Sequence, residues 1–321
     1  MAYVLVTEIM DPSGSNALRQ AGHQVIEGWT LGEDELASYY SEIEGIMVRT
    51  NKVPAETMAK MPKLKIVSKH GVGCDNIDVT YARAHNITVA IAADANADSV
   101  AEHTLMFMLM MAKNPHEMDR VVRENYSLRK DTKAIDIGVR TVLVVGYGRI
   151  GMRVARLCRT FGMTVLVNDT KFADHVSEID SFEIVHDIDG ALSRIDILTV
   201  HVPLTDQTAS LIGHERLSKM PAGGYVVNCA RGGIIDEVAI RDLTQLGHLA
   251  GAAFDVFSVE PILPDNPILE AKNTLLSPHT AAFTAEGLQR MSFQAGRNIC
   301  DCLNGHLSEA NIYKLAAYSD S

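Results

Sequence analysis

The chain has 321 residues, enough for about two domains, and its 47% hydrophobic and 21% charged residues are ordinary for a globular protein. A net charge of −11 and a pI near 5.5 argue against non-specific nucleic-acid binding, which needs a basic face. Five cysteines without a C-x-x-C pair read as reduced thiols in a cytoplasmic protein.

Residues 1–92 alternate short strands, at 4–6, 25–26, 45–48, 64–67 and 87–90, with helical stretches at 15–21, 34–41, 55–61 and 79–85. Ser15 is the expected cap of the first helix. The chain opens on its first strand, so no targeting segment is expected. Such alternation predicts a parallel sheet covered on both faces. Residues 97–112 form a helix that is apolar nearly all round, which needs more than one neighbour to bury it. It either joins the domains as a core helix or contributes to a homodimer interface. Its apolar run, 105–112, is too short to cross a bilayer, so no membrane partner is expected. Residues 113–139 are more polar and should wrap the surface.

A strand at 142–145 then runs into Gly146, Gly148 and Gly151, in G-x-G-x-x-G spacing, followed by a helix at 152–161 and a strand at 165–167 ending in Asp169. The first glycine permits a tight turn, the second admits a pyrophosphate, and the third lets helix and strand pack closely. The N–H groups of Arg149 and Ile150 point at the phosphates with the helix dipole behind them. Asp169 accepts hydrogen bonds from an adenosine ribose. The triplet in this strand–turn–helix–strand–Asp setting predicts a doubly wound dinucleotide-binding domain. Further strands at 195–201, 225–228, 250–255 and 274–276 each end in a polar cluster, where open α/β sheets bind ligands. A last helix, 285–303, and a tail, 308–321, lead back to the first sheet.

Arg231, Glu260 and His279 stand at or just beyond such strand ends. Each alone has a bland explanation; together beside a dinucleotide loop they suggest acid–base chemistry on an anion. Histidine titrates near neutrality, a carboxylate beside it favours imidazolium and fixes the ring, and arginine grips a carboxylate in a two-point fork. No metal-ligand spacing is evident.

The motifs GYGRIG at 146–151, NCARGG at 228–233, DVFSVEP at 255–261 and SPHTA at 277–281 resemble those of the D-isomer-specific 2-hydroxyacid dehydrogenases, and KHGVGCDNID at 69–78 is similar to that family's substrate loop. The chain looks most like the short phosphoglycerate-dehydrogenase-like branch, without the regulatory C-terminal domain some members carry. The resemblance implies an α/β fold of two Rossmann-like doubly wound parallel-sheet domains. The substrate domain spans 1–97 plus 287–321, and an NAD-binding domain, 98–286, is inserted into it, with the active site in the cleft. By the same resemblance His279 is the acid–base, Glu260 its partner and Arg231 the substrate-carboxylate anchor, helped by the N–H groups of Val72 and Gly73. NAD contacts map to Val72, Arg149, Ile150, Asp169, Val202, Cys229, Ala230, Arg231, Asp255 and His279. In several relatives the arginine matching Arg49 reaches the distal end of the substrate. With Lys69 and His70 nearby, it suits a small 2-hydroxy or 2-oxo acid with a second anion, such as phosphate, sulfonate or carboxylate. Alternatives on the same scaffold are a formate- or phosphite-type dehydrogenase and a non-enzymatic NAD-sensing corepressor.

Overall fold

The computed structural model describes residues 1–314 in two compact units, one of Met1–Asn96 and the chain from Phe283 onward, the other of Ala97–Ala282. The chain leaves the first unit, builds the whole of the second and returns.

The first unit carries five parallel strands, β1 (Tyr3–Val6), β2 (Gln24–Glu27), β3 (Ile43–Val48), β4 (Ile66–Lys69) and β5 (Thr88–Ile91), in the order β2-β1-β3-β4-β5. Its first four helices are α1 (Pro12–Gln20), α2 (Glu33–Tyr39), α3 (Ala55–Ala59) and α4 (Val79–Ala84). Helix α1 starts earlier than its sequence suggests. Asp11, not Ser15, is the cap: its carboxylate accepts the Ser13 N–H at 2.9 Å, Pro12 stands in the first turn, and Ser15 is buried within the helix. An Asp-Pro start satisfies an end donor and presets φ, and outweighs a serine inside the turn.

The returning helix, α11 (Ala285–Leu303), crosses α1 at two glycines. A Cβ on Gly14 would lie 2.3 Å from the Ser292 carbonyl oxygen, and one on Gly296 2.5 Å from that of Gly14. Backbone contact this close is open only to glycine. Ser68 and Asn298 tie α11 to the sheet, donating to the carbonyls of Ala295 at 2.8 Å and Ile91 at 2.9 Å. The tail does return to this sheet: Ile312 bridges Ala90, and the Tyr313 N–H bonds the Val89 carbonyl at 2.8 Å. The last part of the expected tail, 315–321, lies outside the described residues.

The second unit opens with α5 (Ala97–Lys113) and α6 (Pro115–Glu124), followed by β6 (Thr141–Val145), α7 (Arg149–Thr160) and β7 (Thr164–Asn168). Its later strands are β8 (Glu178–Ile179), β9 (Phe182–Ile184), β10 (Ile197–Val200), β11 (Gly224–Asn228), β12 (Leu249–Phe254) and β13 (Thr274–Leu276), with helices α8 (Ile188–Leu192), α9 (His214–Ser218) and α10 (Glu237–Gln245) between them. The order is β13-β12-β11-β10-β6-β7-β9-β8, parallel throughout except for β8 against β9. Strands β9 to β12 thus follow the doubly wound dinucleotide order, with its reversal between β6 and β10.

Two elements here escape sequence periodicity. Helix α6 is polar, but Pro115 starts it and Arg120 pairs with Glu117 at 2.7 Å and Glu124 at 2.8 Å, spacings that hold an exposed helix. Strand β9 is three residues with only Phe182 and Ile184 buried, too short to set a period. Within its own unit α5 packs on α7, β11 and β12, which covers most of its apolar surface; Met106 stays 38% exposed.

Candidate active site

The glycine loop after β6 divides its three glycines by role. Gly146 takes φ +94, and a Cβ there would lie 2.7 Å from the His201 carbonyl and 2.8 Å from Val202 Cγ1. A Cβ on Gly151 would lie 1.9 Å from the Gly146 carbonyl oxygen. On Gly148 it would meet nothing within 4 Å. Gly146 therefore lets the turn close on the segment after β10, Gly151 lets α7 close on β6, and the middle glycine leaves a cradle open in front of α7. Arg149 and Ile150 form the first turn of α7, the end that attracts anions. These residues suit the pyrophosphate of a dinucleotide.

Asp169, just beyond β7, is locked beneath this loop. It accepts the N–H groups of Tyr147 at 2.8 Å and Lys171 at 3.0 Å. The Lys171 ammonium stands 3.7 Å from the same carboxylate, bonds the Tyr147 carbonyl and lies over the rings of Tyr147 and Phe172.

Past β11, Asn228 shapes the turn through Cys229, Ala230 and Arg231. Its buried amide accepts the Ala230 N–H at 3.0 Å and donates to the Arg231 carbonyl at 2.9 Å. Burial pushes the Cys229 thiol up to about 12, so it is no nucleophile. The next residue presses this turn on the following loop, since a Cβ on Gly232 would lie 1.8 Å from the Phe257 carbonyl oxygen.

That following loop carries Glu260. Its Oε2 lies 2.6 Å from Nδ1 of His279, and its Oε1 accepts the Phe257 N–H at 3.0 Å. Burial raises its pKa, but the His279 hydrogen bond, the Phe257 N–H and the nearby His279 and Arg231 charges outweigh that and hold it below the usual carboxylate range. With Nδ1 engaged, Nε2 is the ring atom left for a substrate proton. His279 sits at φ +55, left-handed backbone that a non-glycine residue adopts only when its surroundings impose it. Asp255 imposes it here. Its carbonyl accepts the His279 N–H at 2.7 Å, and its buried carboxylate takes the N–H groups of Thr280 at 2.8 Å and Ala281 at 3.0 Å. Ser277 donates to the same carboxylate at 2.5 Å and is itself 3.0 Å from His103 Nε2, on α5.

In the first unit the expected substrate residues follow β3 and β4. The Lys69 ammonium reaches the Arg49 carbonyl and Asn76 Oδ1, both at 2.5 Å, and Asn76 bonds the Asn51 carbonyl at 2.6 Å. These bonds tie the turn after β3 to the 69–78 loop, which carries Val72 and Gly73. The guanidinium of Arg49 lies 4.3 Å from the Phe283 ring centroid, and its buried Nε has no partner. His70 is not one of the positive groups its sequence suggested. Burial drives its pKa down to about 4, and its Nε2 faces the Leu288 carbonyl at 3.2 Å. Among the described residues, no group of three His, Cys, Asp or Glu is placed to hold a metal ion.

Comparison with known proteins decides the family. Residues 105–281 match the model of the D-isomer specific 2-hydroxyacid dehydrogenase, NAD binding domain. The chain belongs to this family. Among its curated relatives in the D-2-hydroxyacid dehydrogenase family are two informative cases. A D-3-phosphoglycerate dehydrogenase of Archaeoglobus fulgidus is 37% identical over 303 residues, covering 94% of this chain and 57% of that protein. A glyoxylate reductase of Thermofilum pendens is 32% identical over 319 residues, 97% of this chain and 94% of that one. The chain thus spans little more than half the length of the phosphoglycerate dehydrogenases it matches. Among solved structures, an NAD-dependent formate dehydrogenase of Staphylococcus aureus in complex with NAD superposes with a TM-score of 0.80 at 27% identity, covering 99% of this chain and 100% of the other. The second unit is accordingly the family's NAD-binding domain, and the open cradle at Gly148 fits that cofactor.

Sequence reading overlooked three contributors: Asn228, the Ser277–His103 pair and Glu8. Glu8 stands just past β1, as Arg49 stands just past β3, and strand ends are where open α/β sheets bind ligands.

Proposed function

We propose that this D-2-hydroxyacid dehydrogenase is an NAD-dependent oxidoreductase of a small 2-hydroxy acid, or of the matching 2-oxo acid, with a second anionic group. The observation that carries the chemistry is the 2.6 Å contact between Glu260 and His279 on a loop locked by Asp255. When bound, NAD supplies or accepts the hydride. The protein's own part is to hold the substrate and move one proton. Arg231, with the N–H groups of Val72 and Gly73, takes the carboxylate next to the reacting carbon. His279 Nε2 removes the hydroxyl proton in oxidation and returns it to the carbonyl oxygen in reduction, while Glu260 keeps the ring oriented. Arg49 takes the distal anion, while Lys69, its ammonium bonded to the Arg49 carbonyl and to Asn76, supports that pocket with its charge. Arg149, Ile150, Asp169, Val202, Cys229, Ala230 and Asp255 line the cofactor's path, and the Asp169 carboxylate repels a 2′-phosphate, favouring NAD over NADP.

Initial rates with a panel of 2-oxo acids, with NADH and with NADPH, test this reading. Turnover of at least one 2-oxo acid should be faster with NADH. Formate oxidation without 2-oxo acid reduction would favour the formate-type alternative, and cofactor binding without turnover the corepressor. We also propose a homodimer through the α5–α6 face, where Met106, Met118 and Val122 are exposed. Sedimentation should give twice the chain mass at micromolar concentration, and a stable monomer there would refute it. Among the described residues no helix is long and apolar enough to cross a membrane. The cytoplasm is proposed on the reading of the cysteines as reduced thiols.

A further inference from the structure

The order β2-β1-β3-β4-β5 reverses between β1 and β3, and in open α/β sheets the crevice at such a reversal takes the ligand. Glu8 follows β1 and Arg49 follows β3, so both stand at that crevice. Three successive backbone N–H groups, of Arg49, Thr50 and Asn51, converge on Glu8 Oε1 at 3.1, 2.7 and 2.9 Å, and the Thr50 hydroxyl bonds Oε2. Successive N–H groups of this kind form a concavity for anions, the device by which many proteins hold phosphate. Here the chain's own carboxylate fills it. Burial pushes the Glu8 pKa up, but the hydrogen bonds from Asn51, Thr50 and Arg49 prevail and keep it ionised below the usual range.

The other polar groups of the crevice are committed or neutral. Lys69 is bonded to the Arg49 carbonyl and to Asn76, and His70 is buried and uncharged at neutral pH. Arg49 keeps an unmatched buried donor, Nε, with its guanidinium over Phe283. Nε and one terminal nitrogen make a two-point fork that fits one oxyanion. A phosphate monoester brings about −1.5 to −2 charges and three acceptor oxygens. It would find the amide concavity taken and a like charge beside it, and Coulomb repulsion from Glu8 grows in proportion to the ligand's charge.

We propose that the distal group of the substrate is a singly charged oxyanion, a carboxylate or a sulfonate, and that Glu8 is the specificity residue that excludes phosphate. The inference rests on the reading above that Arg49 faces the distal end of a 2-oxo acid.

The test compares KM and kcat with NADH for pyruvate, oxaloacetate, sulfopyruvate and phosphohydroxypyruvate in the wild type, Glu8→Gln and Arg49→Met. The wild type should favour oxaloacetate or sulfopyruvate over phosphohydroxypyruvate in kcat/KM; which of the two leads tells carboxylate from sulfonate. Glu8→Gln keeps an acceptor for the three N–H groups and loses the charge. It should lower the ratio of KM for phosphohydroxypyruvate to KM for pyruvate about tenfold. Arg49→Met should raise the ratio of KM for oxaloacetate to KM for pyruvate by roughly tenfold to a hundredfold, the loss of one charge-assisted contact. A wild-type preference for phosphohydroxypyruvate overturns the inference, and this holds even if Glu8→Gln does not fold. So does an unchanged ratio in a folded Glu8→Gln enzyme. If Arg49→Met instead weakens both acids equally, the placement of Arg49 fails and the inference falls with it.

Discussion

His279→Ala should lower kcat by roughly 10²–10⁴, the usual contribution of a positioned acid–base group, while NADH binding is largely kept. The separation follows from position. His279 lies beyond β13, and the glycine loop proposed to cradle the dinucleotide lies after β6. The ring bonds Glu260 at 2.6 Å, and the backbone that presents it bonds Asp255 rather than the cofactor loop. Single-turnover rates with saturating NADH, beside a fluorescence titration of NADH, read the two effects separately. A variant with near-wild-type kcat would remove His279 from the chemistry. Glu260→Gln removes the carboxylate that stands 2.6 Å from Nδ1 and should also lower kcat, with NADH binding largely kept. An unchanged kcat would uncouple Glu260 from His279.

Gly151→Ala should cost ~1–3 kcal/mol of stability and weaken NADH binding at least about tenfold. The added Cβ would lie 1.9 Å from the Gly146 carbonyl oxygen and 3.3 Å from Val144 Cγ1. The nearer neighbour is backbone, with no rotamer to give way. Relief therefore moves α7 off β6, and the helix start that faces the phosphates moves with it. Gly148→Ala is the contrast. Its Cβ meets nothing within 4 Å, so thermal unfolding should be close to wild type, yet the methyl group fills the space a pyrophosphate needs. Thermal unfolding with and without NADH distinguishes the two. Equal loss of stability in both variants would mean that Gly148 is a structural glycine.

Much of this molecule is legible in its sequence because the signals are local. Gly146, Gly148, Gly151 and Asp169 lie within 24 residues and sit where strand–turn–helix–strand logic puts them. The clusters around Arg231, Glu260 and His279 follow strand ends, and a parallel sheet delivers strand ends to one edge. What sequence left dark depends on contacts between distant segments. Glu8 meets Arg49 across 41 residues, and His103 meets Ser277 across 174. His70 looked like a cation in a polar loop, but burial makes it neutral, outweighing the Leu288 carbonyl of α11, which alone would favour the charged ring. Ser15 looked like a cap because serine favours that role, but Asp11-Pro12 starts the helix earlier. In each case the residue type was informative and its surroundings decided what it does.

The central claim is that the chain moves a hydride between NAD and the C2 carbon of a 2-oxo acid while His279 moves the proton. Its most direct test uses NADH carrying deuterium at the transferable position, a turned-over 2-oxo acid, and NMR of the product. The account predicts deuterium at C2 of a D-2-hydroxy acid from the wild type, and product formation lowered by roughly 10²–10⁴ in His279→Ala. Hydrogen from solvent at C2, or unchanged product formation in that variant, would contradict it.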